Sequence, residues 1–192
     1  MAETNTHVLV KSDQTSDWVQ QAAIVIGASL FVALCARVTV PLPFTPVPLT
    51  LQNFAVLLAG LTLGSRRGFA ALVLYLAEGA AGMRVFTASG PGGVAQLLGA
   101  TGGFLLAYPF VAAVAGWIME RGRKTFARAA AAGLLGEIVL FAFGISWLAV
   151  LTHSFAMAVR YGLYWFVFAE VIKILFAGAI AAGWHRSQRN LS

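Results

Sequence analysis

The sequence predicts an all-α integral membrane protein, a single bundle of six transmembrane helices. Three observations predict it. The chain is 59% hydrophobic and only 10% charged, its mean hydropathy is +0.82, and its apolar runs are separated by short basic or Gly/Pro-rich stretches, none of which fits a soluble domain of this size. At 192 residues the length accommodates one bundle, and nothing in the composition marks a second domain. The expected division is a cytoplasmic tail over 1–19, the membrane domain over 20–184 and a cytoplasmic tail over 185–192. Met1–Asp17 is polar and holds Glu3, Asp13 and Asp17 against Lys11 alone, so it lacks the basic start of a secretory signal peptide.

Taken in order, the first span is Gln20–Arg37, in which small residues recur four apart at Ala23 and Gly27 and again at Ser29 and Ala33. Such a stripe lets another helix approach closely, either within the bundle or from a partner protein. Cys35 has no partner for an intrachain disulfide and reads as a small packing residue. Val40–Leu51 carries prolines at 41, 43, 46 and 48, which supply no backbone donor and push their predecessors out of helix. It is therefore a stiff extended connector, and its uncharged Phe44 and Val47 suit a cap folded over the bundle mouth.

Gln52 and Asn53 head the second span, Leu51–Leu63, where their amides can bond a neighbouring helix or a ligand. A tight basic turn, Gly64–Gly68, leads to the third span, Phe69–Met83, with Tyr75 and Glu78. The glycine-rich Val85–Gly103 lacks the lysine and Ser/Thr of a P-loop; at membrane depth it suits close backbone approach or a broken helix lining a cavity. The fourth span is Phe104–Met119. A basic loop then precedes the fifth, Ala129–Leu151, whose Glu137 is placed near the cytoplasmic end, within reach of an arginine. Thr152–Tyr161, with His153 and Arg160, is an interfacial connector to the sixth span, Gly162–Trp184.

Basic residues orient the bundle. With both termini inside, nine fall on the cytoplasmic side (Lys11, Arg66, Arg67, Arg121, Arg123, Lys124, Arg128, Arg186, Arg189) and three outside (Arg37, Arg84, Arg160). The expected location is a bacterial-type cell membrane, multi-pass, with the lipid bilayer as surroundings. The same rule accounts for the pI of about 10.1 without nucleic acid.

Within the sixth span stand Glu170 and Lys173, three residues apart and hence on one helical face with Phe166 and Ala177. If Trp184 marks the interface, a rise of about 1.5 Å per residue puts them roughly 16 to 21 Å into the membrane. Ionisable groups at that depth are costly and mark a substrate or ion path unless they merely satisfy each other. The topology gathers Arg37, Glu78, Arg84, Gln52 and Asn53 toward the same outer half, beside Tyr164, Trp165 and Phe166. A few fixed charges against an aromatic wall suit a small, partly apolar organic anion.

Other chemistries lack support. The histidines at 7, 153 and 185 are scattered and form no metal-ligand spacing. Ser146 with His153 is a poor hydrolase pair, no nucleotide motif appears, and no catalytic residue, cofactor or metal is expected.

Four stretches together resemble the BioY family, the biotin-specific substrate-binding (S) components of energy-coupling factor transporters: Pro43-Phe-Thr-Pro-Val-Pro-Leu-Thr-Leu-Gln52, Gly79-Ala-Ala-Gly-Met-Arg-Val-Phe86, Gly99-Ala-Thr-Gly-Gly103 and Glu170-Val-Ile-Lys173. The resemblance implies the six-helix S-component fold with a biotin pocket at the outer face, and a transmembrane coupling protein and two ATPase subunits as partners. Three positions depart from the family pattern: Glu170 stands for aspartate, and Arg84 and Ala100 for prolines. Under this reading Glu170 accepts from the ureido ring of biotin and Lys173 donates to its carbonyl. Arg84, or second Arg37, meets the carboxylate, and Tyr164, Trp165 or Phe166 covers the thiophane ring. The small-residue stripe of the first helix would dock the coupling protein. Two other functions stay open: an S component for another vitamin, and a membrane enzyme using Glu137 or His153 on a lipid-like substrate. So does a purely structural subunit with a satisfied ion pair.

Overall fold

A computed structural model describes residues 4–191, with side chains from 17 to 190. Among these residues six principal helices form the bundle: α1 (Thr4–Cys35), α2 (Gln52–Leu63), α3 (Ser65–Ala80), α5 (Gly102–Glu120), α6 (Phe126–Thr152) and α8 (Val167–Leu191). Short α4 (Gly93–Leu98), α7 (Phe155–Val159) and a π-helical turn (Arg160–Tyr164) lie in the connectors. Asp17–Cys35 of α1 and helices α5, α6 and α8 are long and apolar enough to cross a membrane. By contrast α2, of 12 residues, extends only about 18 Å.

Helix α5 is the hub. Two thirds of its apolar stretch is buried (67%), against 28% for α6 and α8 and 17% for α1. Small residues put it there: a Cβ on Gly60 of α2 would stand 2.5 Å from the Ala112 carbonyl oxygen of α5, so the two backbones touch with no room for a side chain. Gly64 turns α2 into α3 at φ 86°, a region open to glycine. The Glu120 carboxylate then accepts from the Ser65 N–H (2.8 Å) and hydroxyl (2.8 Å), capping α3 from the end of α5. The outer helices instead present large apolar side chains such as Leu34, Val150, Phe168 and Phe176, the surface a hydrocarbon solvent requires.

Helix begins at Thr4, and α8 runs past Trp184 to Leu191, because His185 is buried and bonds the Leu61 carbonyl at 2.9 Å. The segments expected as tails, 1–19 and 185–192, are helical over 4–19 and 185–191; residues 1–3 and 192 lie outside the described residues.

The proline connector forms no helix, as expected, yet its ends pair as a two-residue antiparallel ladder, β1 (Thr39–Val40) with β2 (Leu49–Thr50), Thr39 opposite Thr50. Pairing satisfies backbone groups that proline bars from helix. The enclosed loop is pinned over one end of the bundle by the Thr45 hydroxyl, which donates to the Tyr161 carbonyl (2.8 Å) and accepts from the Val47 N–H (3.2 Å).

Candidate binding site

Three helices meet below that loop and each contributes a polar side chain to one buried cluster. Phe166, just before α8, and Glu170, Lys173 and Ala177 of α8 are all buried along one stripe, as their spacing requires. Lys173 Nζ lies 2.7 Å from Glu170 Oε1. From the first turn of α2, Asn53 Nδ2 donates to Glu170 Oε2 (2.8 Å) and to Glu137 Oε1 of α6 (2.5 Å). Glu137 therefore does not pair with an arginine as expected: α6 starts at Phe126, so Glu137 lies eleven residues inside it, about 16 Å from its end. Two acceptors in the cluster, Asn53 Oδ1 and Glu137 Oε2, are buried with no hydrogen-bond partner.

Above the cluster is a narrow cavity of about 50 Å³, walled by Phe104, Tyr108, Phe141 and Phe166, with Asn53, Glu170 and Lys173 at its polar floor. Next to it lies a vestibule of about 260 Å³ between the proline connector and the glycine-rich segment. Pro48, Thr87, Gln96 and Thr101 border both spaces and form the rim between them. Gln96 is buried and holds the rim together, donating to Thr87 Oγ1 (2.8 Å) and accepting from the Gly92 N–H (3.1 Å). Trp147 Nε1 donates to the Gly99 carbonyl at 2.9 Å. Gln52 also borders the cavity, but its amide donates to the Tyr75 hydroxyl (2.5 Å), which donates to the Val85 carbonyl (3.0 Å). That relay ties α2 and α3 to the connector above them.

Several expected positions lie elsewhere. Tyr164 and Trp165 are exposed, and the Trp165 ring packs tilted by 41° against Phe44, centroids 4.2 Å apart, outside the cavity; two residues and one residue before Phe166, they do not share its stripe. Glu78 accepts from Ser29 (2.5 Å) and ties α3 to α1. Arg37 and Arg84 are exposed and border neither space. The small-residue stripe of α1 splits: Ser29 and Ala33 are buried within the bundle, whereas Ala23 and Gly27 face outward, with nothing within 4 Å of a Cβ at Gly27. The rim residues Thr87, Gln96 and Thr101 and the wall residues Phe104, Tyr108 and Phe141 were not foreseen. Neutral side chains in apolar or glycine-rich sequence carry no signal without the fold.

The chain matches the BioY family model over residues 5–190. It is 38% identical over 154 residues to the probable biotin transporter BioY of Pyrococcus horikoshii, covering 80% of this chain and 90% of that one. To the biotin transporter BioY of Thermotoga maritima it is 36% identical over 157 residues, covering 81% and 92%. Its fold is shared with the crystal structure of the S-component for biotin from an ECF-type ABC transporter, at TM-score 0.80 and 24% identity over 89% of this chain and 93% of that one. An apolar helical bundle with a buried Asn–Glu–Lys floor, matched along nearly its whole length, identifies the chain as an integral membrane protein of the BioY family.

Proposed function

We propose that this chain captures biotin from the outer side of a cell membrane and presents it for uptake. The observation that carries the reading is the floor of the cavity. Lys173 has three N–H donors and uses one on Glu170, while Asn53 Oδ1 is an acceptor without a partner. A cyclic urea offers the complement, one carbonyl for Lys173 and two N–H groups for Asn53 Oδ1 and the Glu170 carboxylate. Charge-assisted bonds of this kind are the stronger class, and at this depth water competes little for them. Phe104, Tyr108, Phe141 and Phe166 offer apolar contact to a sulfur-containing ring. A carboxylate tail would pass the rim into the vestibule; Arg84, exposed and bordering neither space but on the same connector as Thr87, is the nearest candidate cation in sequence.

The basic-residue asymmetry supports placing this mouth outside and both termini inside. Recognition without turnover is the role: the ligand leaves chemically unchanged, and energy comes from a transmembrane coupling protein with two ATPase subunits. The open face of α1 at Ala23 and Gly27 suits docking to such a partner, since small residues admit a neighbouring helix closely. Calorimetry of the detergent-purified chain against a panel of small vitamins tests the ligand. Biotin is expected to bind saturably, at least about 100-fold tighter than vitamins lacking a cyclic urea, since unpaired floor groups reject them. Equal binding across the panel would contradict the reading. Co-purification with the coupling protein and ATPases, reduced by Gly27→Trp, tests the docking face.

A further inference from the structure

Glu137 is the one carboxylate of the floor cluster that does not border the ligand cavity; with Glu170 it borders a separate apolar crevice between α6 and α8. It is 3% exposed, and its Oε1 takes one of the two hydrogens of Asn53 Nδ2 while Glu170 takes the other. We infer that Glu137 is a positioning residue that fixes the polarity of the Asn53 amide, so that only its oxygen meets the ligand, and thereby makes the site selective for a ring bearing N–H donors.

The inference rests on the biotin reading and extends it. An amide can present either its oxygen or its NH2 to a cavity, and a half-turn about its last torsion exchanges them. With both hydrogens of Nδ2 held by carboxylates, that half-turn would set the amide oxygen against two acceptors. Glu170 cannot enforce this alone, because it faces the cavity and is itself a partner for the incoming ring. Glu137 is anchored on another helix and reached from the far side, so its hold on Asn53 is unchanged when the cavity fills. Lys173 and the Tyr108 phenol are the other ionisable groups near the cavity floor, and neither bonds Asn53 among the described residues.

The test compares equilibrium binding of biotin with that of a biotin analogue methylated on a ureido nitrogen, in the full chain purified in detergent. The wild-type chain is expected to prefer biotin by about 100-fold, and Glu137→Leu by less than about tenfold, because the freed amide can turn its NH2 toward the ligand. Glu137→Gln keeps an acceptor on Asn53 and is expected to recover most of the preference. If Glu137→Leu does not fold, Glu137→Asp, which keeps the charge but withdraws the oxygens by about one C–C bond, reads the same ratio. Undiminished preference in Glu137→Leu or Glu137→Asp overturns the inference while leaving the biotin reading intact, and so does failure of Glu137→Gln to recover it. A wild-type chain that binds no biotin removes both.

Discussion

The floor and the rim of the cavity are built by opposite means. The floor is charged and carried by three regular helices: Asn53 on α2 bonds Glu137 on α6 and Glu170 on α8, and Glu170 bonds Lys173 of its own helix, at 2.5 to 2.8 Å. The rim is uncharged and carried by connectors: Pro48 in the proline loop, Thr87 and Thr101 in the glycine-rich segment, and Gln96 on a six-residue helix. Helical side chains inside a packed bundle hold fixed positions, which suits recognition of a rigid polar head. Connectors open at lower cost than packed helices, which suits a mouth that must admit a ligand. The division predicts that substitutions lose affinity in order of their distance from the floor.

The largest effect belongs to Lys173→Ala, expected to weaken biotin binding by about 100-fold or more, the upper range for a lost charged hydrogen bond. It also leaves Glu170 buried without its counter-charge, and removal of one partner of a buried pair costs about 3–5 kcal/mol. Thermal unfolding in detergent should therefore shift down. The double variant Glu170→Gln with Lys173→Met should recover the stability but not the binding, separating the two roles.

Next, Gln96→Ala removes the bonds that join Thr87 to the Gly92 backbone across the rim. A loss of about tenfold, roughly one neutral hydrogen bond, is expected by calorimetry. Arg84→Ala should cost about fivefold, the scale of an exposed ion pair, and should leave the methyl ester of biotin unaffected. An equal loss for acid and ester would remove Arg84 from the site. Smallest is Trp165→Ala, within about twofold, because an exposed residue outside the cavity gives surface-scale effects; a loss comparable to Gln96→Ala would move the mouth to where Trp165 and Phe44 meet.

How far the sequence reached follows the same division. The Glu170–Lys173 pair and its stripe with Phe166 were legible because a 3.6-residue period fixes which side chains share a face. The proline connector was legible because four prolines exclude helix. Glu137 was misplaced because periodicity does not say where along a span the interface falls, and α6 starts three residues earlier than the first residue counted as apolar span. Tyr164 and Trp165, expected as wall residues, lie off the stripe of Phe166, Glu170 and Lys173 by helical spacing alone, and the π-helical turn over Arg160–Tyr164 leaves no mark in an apolar run. The arginines show a third limit. Charge in a connector is visible in the sequence, but whether the side chain turns inward depends on packing among segments far apart in the chain.

Equilibrium binding of radiolabelled biotin to the detergent-purified chain, in wild type and Lys173→Ala side by side, addresses the floor most directly. The account predicts saturable binding by the wild type, displaced by unlabelled biotin, and a loss of about 100-fold or more in the variant. Binding of equal strength in both would contradict it, since a lysine that serves only to neutralise Glu170 changes stability and leaves affinity where it was.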